Sequence, residues 1–288
     1  MGAESSFEEI IAFATSLLDT NGLHAASGNH CGYIPGGGLF ENAIGNFLAS
    51  NGNYYSGVSF ASPGAVALEN EVISWVCSLI GYNKNANGNI TSGGSMANLT
   101  ALTVARKVKG ISSKNINHCC IYLGEHTHHS ILKAINVTGL DEMLLRKITL
   151  NNQLQLDIEV LQQQIEKDIT AGLTPSIIVS SGGTTNAGAV DELSAINELS
   201  IKHAMWHHCD AAYGGFFVLT KTGKSLLAGL SQTDSITLDP HKALFQSYGS
   251  GIVLVKHGHL LANTFCENAD YMRDTITNTL SPADLSIE

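Results

Sequence analysis

The segment Ser235-Ile236-Thr237-Leu238-Asp239-Pro240-His241-Lys242 is a short apolar run that leads directly into an acid, a proline, a histidine and a lysine. Earlier in the chain, a second apolar run ends in His208-Cys209-Asp210-Ala211-Ala212-Tyr213-Gly214-Gly215. Short apolar runs that end at turn residues are typical of buried strands. Because ligand sites in parallel sheets form at the carboxyl ends of the strands, we expect Asp210 and Lys242 to lie close together.

Asp210 and Lys242 are the two kinds of side chain that a pyridoxal phosphate (PLP) site requires. A lysine amine can form a Schiff base with the aldehyde of this cofactor. A carboxylate can keep the pyridine nitrogen protonated, so that the ring accepts electrons. Either residue alone is also compatible with an ordinary surface position. The small residues that follow Asp210 favour the first interpretation, because they let a ligand approach the backbone closely.

The composition indicates a globular protein with a large core. The chain has 288 residues, of which 44% are hydrophobic and only 14% are charged. That length suffices for one large domain or two ordinary ones. The formal net charge of -10 argues against nucleic acid and against an anionic membrane as partners, since both require clustered basic residues. We therefore expect no nucleic-acid partner and no membrane partner.

The amino-terminal segment and the cysteines favour a cytoplasmic location. Residues 1–13 contain three glutamates and no lysine or arginine, which differs from a secretory signal. The six cysteines are scattered and form no C-x-x-C pair, so we expect reduced, mostly buried thiols.

The order of apolar and helical patterns predicts an α/β fold with a mainly parallel central sheet flanked by helices. We divide the chain into an amino-terminal arm at 1–60, with a helix near Phe7–Leu18 followed by loops, and a large cofactor-binding domain at 61–288. A helix is expected to begin at Ser62-Pro63 and to end at Gly81. The predicted strands are Cys119–Leu123, Ile177–Ser180, Met205–Cys209, Ser235–Leu238 and Gly251–Val255, and further helices are predicted after Ser95, Ser130, Asp157 and Leu193.

Three more motifs fall at predicted strand ends. The run Thr91-Ser92-Gly93-Gly94-Ser95-Met96-Ala97-Asn98 opens a helix, which suits an anion but equally an ordinary glycine-rich cap. His126, His128 and His129 lie close together, but their spacing differs from that of zinc pairs, and we predict no metal site. A histidine stacked on a flat ring fits that group better. Gly183-Thr184-Thr185 follows another strand and is an ordinary turn when taken alone.

Together these runs resemble the group II PLP-dependent amino acid decarboxylases, from about Gly28 onward. The resemblance rests on the joint order of several motifs rather than on any one of them. They are Ile34-Pro35-Gly36-Gly37, Ser62-Pro63 with Glu69, Thr91-Ser92-Gly93-Gly94-Ser95, His128, Gly183-Thr184-Thr185, Asp210-Ala211-Ala212-Tyr213 and His241-Lys242.

The resemblance implies the fold-type I architecture of PLP-dependent transferases, pyridoxal 5'-phosphate as cofactor and a homodimer with shared active sites. It assigns the Schiff base to Lys242, the partner of the ring nitrogen to Asp210 and the stacking group to His128. It also implies that Ala212 packs on the opposite ring face and that Thr185 supports the ring substituents. Finally, it places the phosphate at Gly94, Ser95 and Ser235, and it places His241 on the phosphate or substrate side.

The resemblance also implies parts that we expect to be missing. The chain stops at Leu285-Ser286-Ile287-Glu288, about where the family's small C-terminal domain begins. Arg273–Ser281 lacks the tyrosine that family members often carry in a loop after the lysine, and Tyr271 does not clearly match that position.

Decarboxylation of an L-amino acid to its amine and carbon dioxide is the function that the sequence predicts first. Two alternatives stay open. One is another fold-type I lyase, similar to sphingosine-phosphate lyase, which would use the same residues. The other is a truncated fold that holds PLP without catalysis.

Overall fold

Seven strands form one sheet at the centre of this computed structural model, which describes residues 5–20, 22–30, 32, 34, 36–266 and 280–287. The strands are β1 (Asn87–Thr91), β2 (Cys119–Gly124), β3 (Leu144–Ile148), β4 (Thr174–Ser181), β5 (Trp206–Asp210), β6 (Ser235–Leu238) and β7 (Gly251–Val255). Their order across the sheet is β1-β7-β6-β5-β4-β2-β3.

The sheet is mainly parallel, as predicted. Strands β2 to β6 pair in parallel with their neighbours, whereas β7 is antiparallel to both β6 and β1. Because β7 reverses the direction once and β1 reverses it again, β1 ends at the same edge as the parallel strands. The carboxyl ends of six strands therefore point to one edge, where a ligand site is expected.

Helices cover both faces of the sheet. In the part of the chain that the structure describes, they are α1 (Phe7–Thr20), α2 (Phe40–Gly52), α3 (Pro63–Ile80), α4 (Gly94–Val108), α5 (His129–Val137), α6 (Ile158–Thr170), α7 (Leu193–Lys202), α8 (Lys221–Leu226), α9 (Pro240–Ala243) and α10 (His259–Phe265). Across those same residues, no helix is both long enough and apolar enough to cross a membrane.

Successive side chains of the central strands pack into separate cores on the two faces. In β2, Ile121 packs with residues of α4 and α5, whereas Tyr122 packs with residues of α6 and α7. The same alternation separates Val179 from Ile178 in β4. Because each strand is buried on both sides, its sequence is a continuous apolar run, and that is why these strands were recognisable in the sequence.

Strands β1 and β3 and helices α2, α8, α9 and α10 were not predicted from the sequence. Strand β1 is rich in asparagine and glycine and carries little β-propensity, so only its pairing with β7 defines it. Strand β3 lies at the sheet edge and contains two basic residues. Helix α2 occupies a segment that was predicted as loops, because its glycines and asparagines disfavour a helix.

Helices α1 and α2 pack little against the rest of the protein. None of their described residues is buried. Helix α2 is held mainly by polar contacts to the segment after Lys242. The side chain of Asn46 donates to Ser247 Oγ at 2.8 Å, and the amide of Leu39 donates to the carbonyl of Phe245 at 3.1 Å.

His207 is a fully buried side chain of β5 with a structural role. Its ring nitrogens lie 2.7 Å from Ser180 Oγ and 2.7 Å from Asn197 Oδ1. Burial, with a smaller effect of the adjacent His208, lowers the pKa of His207 to about 3. The imidazole is therefore neutral throughout the ordinary pH range.

A neutral buried histidine makes stability depend on pH. Below pH 6.5 the histidine binds a proton in the unfolded chain but not in the fold, so stability falls as pH falls from 6.5 towards about 3. Each pH unit in that window costs about 1.4 kcal/mol. His207→Gln keeps both hydrogen bonds possible and removes this dependence. Urea unfolding at several pH values should show a flatter profile for this variant than for the parent chain.

The exposed His118 provides the control for that experiment, since His118→Gln changes no buried group. An equally steep profile for the parent chain and the His207 variant would contradict the assignment.

Candidate active site

A cavity of about 430 Å³ opens at the carboxyl edge of the sheet. Several segments that are distant in the sequence meet there. The loop before α4, the end of β4, the end of β5 and the turn after β6 all contribute to its wall. Among the residues predicted for the site, those that line this cavity are Gly94, Ser95, His128, Thr185, Asp210, Ala212, His241 and Lys242.

Ser235 is the one predicted site residue that the structure places elsewhere. It is the first residue of β6, at the opposite end of that strand from Lys242, and it is fully buried. Its hydroxyl is engaged by Trp206 Nε1 and His208 Nδ1, each at 2.9 Å. The prediction that Ser235 holds a phosphate therefore does not fit this placement, because Ser235 lies at the end of β6 far from the cavity.

Asp210 ends β5 and forms part of the cavity wall while remaining only 8% exposed. Its Oδ2 accepts a hydrogen bond from Asn98 Nδ2 at 3.0 Å, and its Oδ1 accepts one from the amide of Ala212 at 3.2 Å. A carboxylate has lone pairs for about four donors, so Asp210 can accept further hydrogen bonds from a ligand.

His128 caps the amino terminus of α5 and lines the cavity. Its Nδ1 accepts from the amide of Ser130 at 3.3 Å and lies 2.7 Å from the hydroxyl of the same residue. Burial lowers the pKa of His128, and the charge of Asp210 opposes this effect. His128 is therefore a neutral ring, which suits stacking on another flat ring better than a cation does.

Lys242 is held by a carboxylate of its own short helix. Its Nζ lies 2.9 Å from Asp239 Oδ2. Asp239 is 2% exposed, and its Oδ1 has no hydrogen-bond partner among the described residues. Burial raises the pKa of Asp239, and Lys242 opposes that rise. The site thus contains an amine next to a carboxyl group that has an unused oxygen.

His241 precedes Lys242 and packs into the cavity wall. Its Nδ1 donates to the carbonyl of Ser250, and its ring meets the edge of Tyr248 with centroids 5.1 Å apart. These contacts fix the turn from which Lys242 projects.

The amino terminus of α4 reaches the cavity next to Asp239. A Cβ on Gly94 would lie 2.8 Å from both carboxylate oxygens of Asp239, so a larger residue does not fit there. The first amides of a helix have no partner within the helix, and they favour a negative charge. This end of α4 is therefore suited to an anionic group of a ligand.

Asn98 is a site residue to which the sequence assigned no role. It lies one helical turn after Gly94 and is 1% exposed. Its amide nitrogen donates to Asp210 Oδ2 and to Ser130 Oγ, both at 3.0 Å. The i, i+4 spacing from Gly94 was the available signal, because it places both residues on the same face of α4.

Two other expectations concern a metal and a loop. Within the described ranges, no group of three or more histidine, cysteine or acidic side chains is arranged to hold a metal ion. Tyr271 and most of the segment Arg273–Ser281 lie outside the described residues.

Comparisons with known proteins give one consistent result. The family model described as "Pyridoxal-dependent decarboxylase conserved domain" matches residues 3–284. The aromatic-L-amino-acid decarboxylase of Bacillus atrophaeus is 35% identical over 94% of this chain and 56% of its own length. The L-2,4-diaminobutyrate decarboxylase of Acinetobacter baumannii is 28% identical over 89% of this chain and 53% of its own length. The chain thus spans about half the length of these curated relatives.

Solved structures agree on the fold. The crystal structure of Oryza sativa TDC with PLP and tryptamine superposes with a TM-score of 0.91 at 24% identity, and the match covers 100% of this chain and 62% of that one. The crystal structure of mouse CSAD superposes with a TM-score of 0.88 at 23% identity, covering 100% of this chain and 61% of that one.

Gly94→Ala tests the close packing at the start of α4. The added methyl group would push against the buried Asp239, so we expect a loss of roughly 1–3 kcal/mol in the free energy of unfolding. Gly64→Ala is the matched control, because a Cβ on Gly64 in α3 meets nothing within 4 Å. That change should stabilise the protein by up to about 1 kcal/mol. Urea unfolding of both variants measures the difference, and equal stabilities would contradict the packing.

Proposed function

Because this chain belongs to the pyridoxal-dependent decarboxylase family, we propose that it binds pyridoxal 5'-phosphate and converts an L-amino acid to the corresponding amine and carbon dioxide. The observation that supports this proposal best is the arrangement of the cavity. Lys242, Asp210 and His128 come from three separate segments and all line the same space. An amine, a buried carboxylate and a neutral flat ring are what this cofactor requires.

The residues present fit the cofactor at both of its ends. The start of α4 offers amides to a phosphate, and Gly94 keeps the space beside them free of a side chain. At the other end, Asp210 is buried and has lone pairs left for a ring N–H. Asp239 also lies against the start of α4, since a Cβ on Gly94 would touch both of its carboxylate oxygens.

Each site residue then has a distinct role. When bound, pyridoxal phosphate supplies a conjugated ring that accepts the electrons released as the bond to the substrate carboxylate breaks. Asp210 would hold the proton on the ring nitrogen, and Lys242 would supply the amine that carries the cofactor. His128 and Ala212 would contact the ring, and Thr185 its substituents, since all three line the same cavity.

Asp239 lies beside Lys242 and would act as its base. Its Oδ2 is 2.9 Å from Lys242 Nζ. The lysine must lose a proton before it can bond to an aldehyde, and the carboxylate beside it is positioned to accept that proton. The raised pKa of Asp239 makes it a better base than an exposed aspartate.

Release of carbon dioxide from a panel of L-amino acids tests the proposed reaction. We expect activity in the PLP-loaded protein, none in Lys242→Ala, and a loss of several orders of magnitude in Asp210→Ala, which should still bind PLP. Lys224→Ala changes an exposed lysine and serves as the control.

The products also separate the alternatives. An aldehyde without carbon dioxide would indicate a lyase similar to sphingosine-phosphate lyase. A protein that binds PLP but turns over no amino acid would indicate a fold without catalysis, and either result would contradict the proposed reaction.

We also propose that the protein is a homodimer in which helices α1 and α2, with the rest of the arm at residues 1–60, pack on the second copy. Both helices carry large apolar side chains at the surface, which include Phe7, Leu18, Phe40, Phe47 and Leu48. Exposed apolar patches of this kind mark interaction surfaces. The segment that α2 contacts follows Lys242, so such a dimer would bring the second copy close to the site.

Phe47→Glu tests that dimer, because a charge at the centre of an apolar contact is costly to bury. Sedimentation should show a dimer for the parent chain and a shift towards monomer for this variant. Gln162→Glu, which adds a charge at an exposed position of α6, should remain a dimer. A monomeric parent chain at high concentration would contradict the proposal.

A cytoplasmic location completes the proposal. Cys77, Cys119, Cys120 and Cys209 are buried free thiols, as expected of a protein in a reducing compartment. The net charge of -10 agrees with a small-molecule substrate rather than a nucleic-acid partner.

A further inference from the structure

We propose that a one-way relay of hydrogen bonds beneath the cavity orients the Asn98 amide and thereby holds Asp210 as an acceptor for the cofactor's ring nitrogen. The relay consists of the four buried side chains Trp206, Ser235, His208 and Asn98. This inference rests on the proposed function for its purpose, but its geometry is independent of any ligand. His208 and Asn98 are positioning residues in this account, since they act through Asp210.

The far end of the relay begins with a group that can only donate. Trp206 Nε1 lies 2.9 Å from Ser235 Oγ, and an indole N–H has no lone pair to offer. Ser235 Oγ lies 2.9 Å from His208 Nδ1. Trp206 and Ser235 begin β5 and β6 at the edge of the sheet opposite the cavity, so the relay runs along one face of β5 towards the cavity.

His208 connects that end to Asn98. Its Nε2 lies 2.9 Å from Asn98 Oδ1, and the side chain is fully buried. Burial lowers the pKa of His208 to about 4, and this effect is opposed by Asp210 and by a hydrogen bond to the backbone of Ser235. The neutral ring has a single N–H, so only one of its two nitrogens can donate.

Asn98 uses both amide hydrogens on the site side. One goes to Asp210 Oδ2 and the other to Ser130 Oγ. Its Oδ1 must then accept from His208 Nε2, which leaves His208 Nδ1 to accept the hydroxyl hydrogen of Ser235.

If the hydrogen bonds of the relay donated in the opposite direction, two contacts would be unfavourable. That direction would turn the oxygen of Asn98 towards the carboxylate of Asp210, where two acceptors would face each other. It would also put the proton on His208 Nδ1, so that Ser235 would receive two donors and find no acceptor in the relay for its own hydrogen. Only the direction towards Asp210 pairs every hydrogen with an acceptor.

The relay has a second branch that ends at His128. Ser130 receives a hydrogen from Asn98, and its own hydroxyl hydrogen is directed at His128 Nδ1, 2.7 Å away. The amide of Ser130 also donates to that nitrogen, so the neutral ring carries its proton on Nε2. One amide thus sets both the acceptor beside the ring nitrogen and the tautomer of the stacking histidine.

The first test uses the unmodified protein without cofactor. Long-range ¹H–¹⁵N NMR of the histidine rings should show His208 neutral, with its proton on Nε2, at every pH from 5 to 8. A neutral His208 with its proton on Nδ1, or a His208 that becomes charged in that range, would overturn the relay.

The second test compares two histidines of the same strand. His208→Leu breaks the relay, whereas His207→Leu removes an equally buried histidine with two similar hydrogen bonds on the opposite face. With PLP labelled at the ring nitrogen, the ¹⁵N shift should indicate a protonated nitrogen in the parent chain and in His207→Leu. In His208→Leu it should move towards the unprotonated value, with kcat at least ten-fold lower and KM nearly unchanged.

His208→Gln is the rescue variant, because its amide nitrogen can still donate to Asn98 Oδ1. It should restore most of the ring-nitrogen signal, and it keeps the comparison possible if the leucine variant does not fold. Equal effects of His208→Leu and His207→Leu would reduce the relay to ordinary packing. Absence of PLP binding by the parent chain would instead contradict the proposed function, while the NMR test without cofactor would still decide the relay.

Discussion

The rest of the site depends on one constraint, which is the buried carboxylate of Asp210 at the end of β5. A buried charge is costly unless donors surround it. Here the donors come from the backbone of Ala212 and from Asn98 on α4, so the strand and the helix must be held in a fixed relation. The parallel sheet provides that relation, because the helix connecting β1 to the next strands lies across the face where Asp210 emerges.

The site also depends on the antiparallel direction of β7. Because β7 runs antiparallel to β1 and β6, the start of α4 comes next to the turn that carries Asp239 and Lys242. The start of α4 lies close to both β7 and Asp239. A Cβ on Gly251 would lie 2.4 Å from the carbonyl carbon of Gly93, and Gly94 has no room for a side chain. These glycines let the backbone of the loop before α4 approach that of β7 closely.

Sequence patterns predicted the parts of the fold that are determined locally. The strands Ser235–Leu238 and Gly251–Val255 were predicted with the observed bounds, since continuous apolar runs between turn residues define them. Strand β1 was missed because its first three residues, Asn87, Gly88 and Asn89, disfavour a strand, so that its pairing with β7 defines it. Helix α2 was missed for a related reason: its composition favours a loop.

The sequence predicted those site residues that directly follow recognisable strands. Asp210, Lys242 and His128 follow predicted strands, and the shared edge of a parallel sheet brings them together. Ser235 was assigned to the phosphate from the resemblance alone, although the predicted strand Ser235–Leu238 already put it at the end opposite Lys242. The link from Asn98 to His208 was beyond sequence reasoning, because these residues are 110 positions apart and meet only in the folded protein.

The central claim is that this cavity holds pyridoxal phosphate through Lys242. The most direct measurement is titration of the purified protein with the cofactor, followed by reduction with borohydride and mass spectrometry of the peptides. The account predicts a yellow protein and a single fixed adduct on the peptide that contains Lys242. An adduct fixed on other lysines, or a protein that stays colourless and carries no adduct, would contradict it.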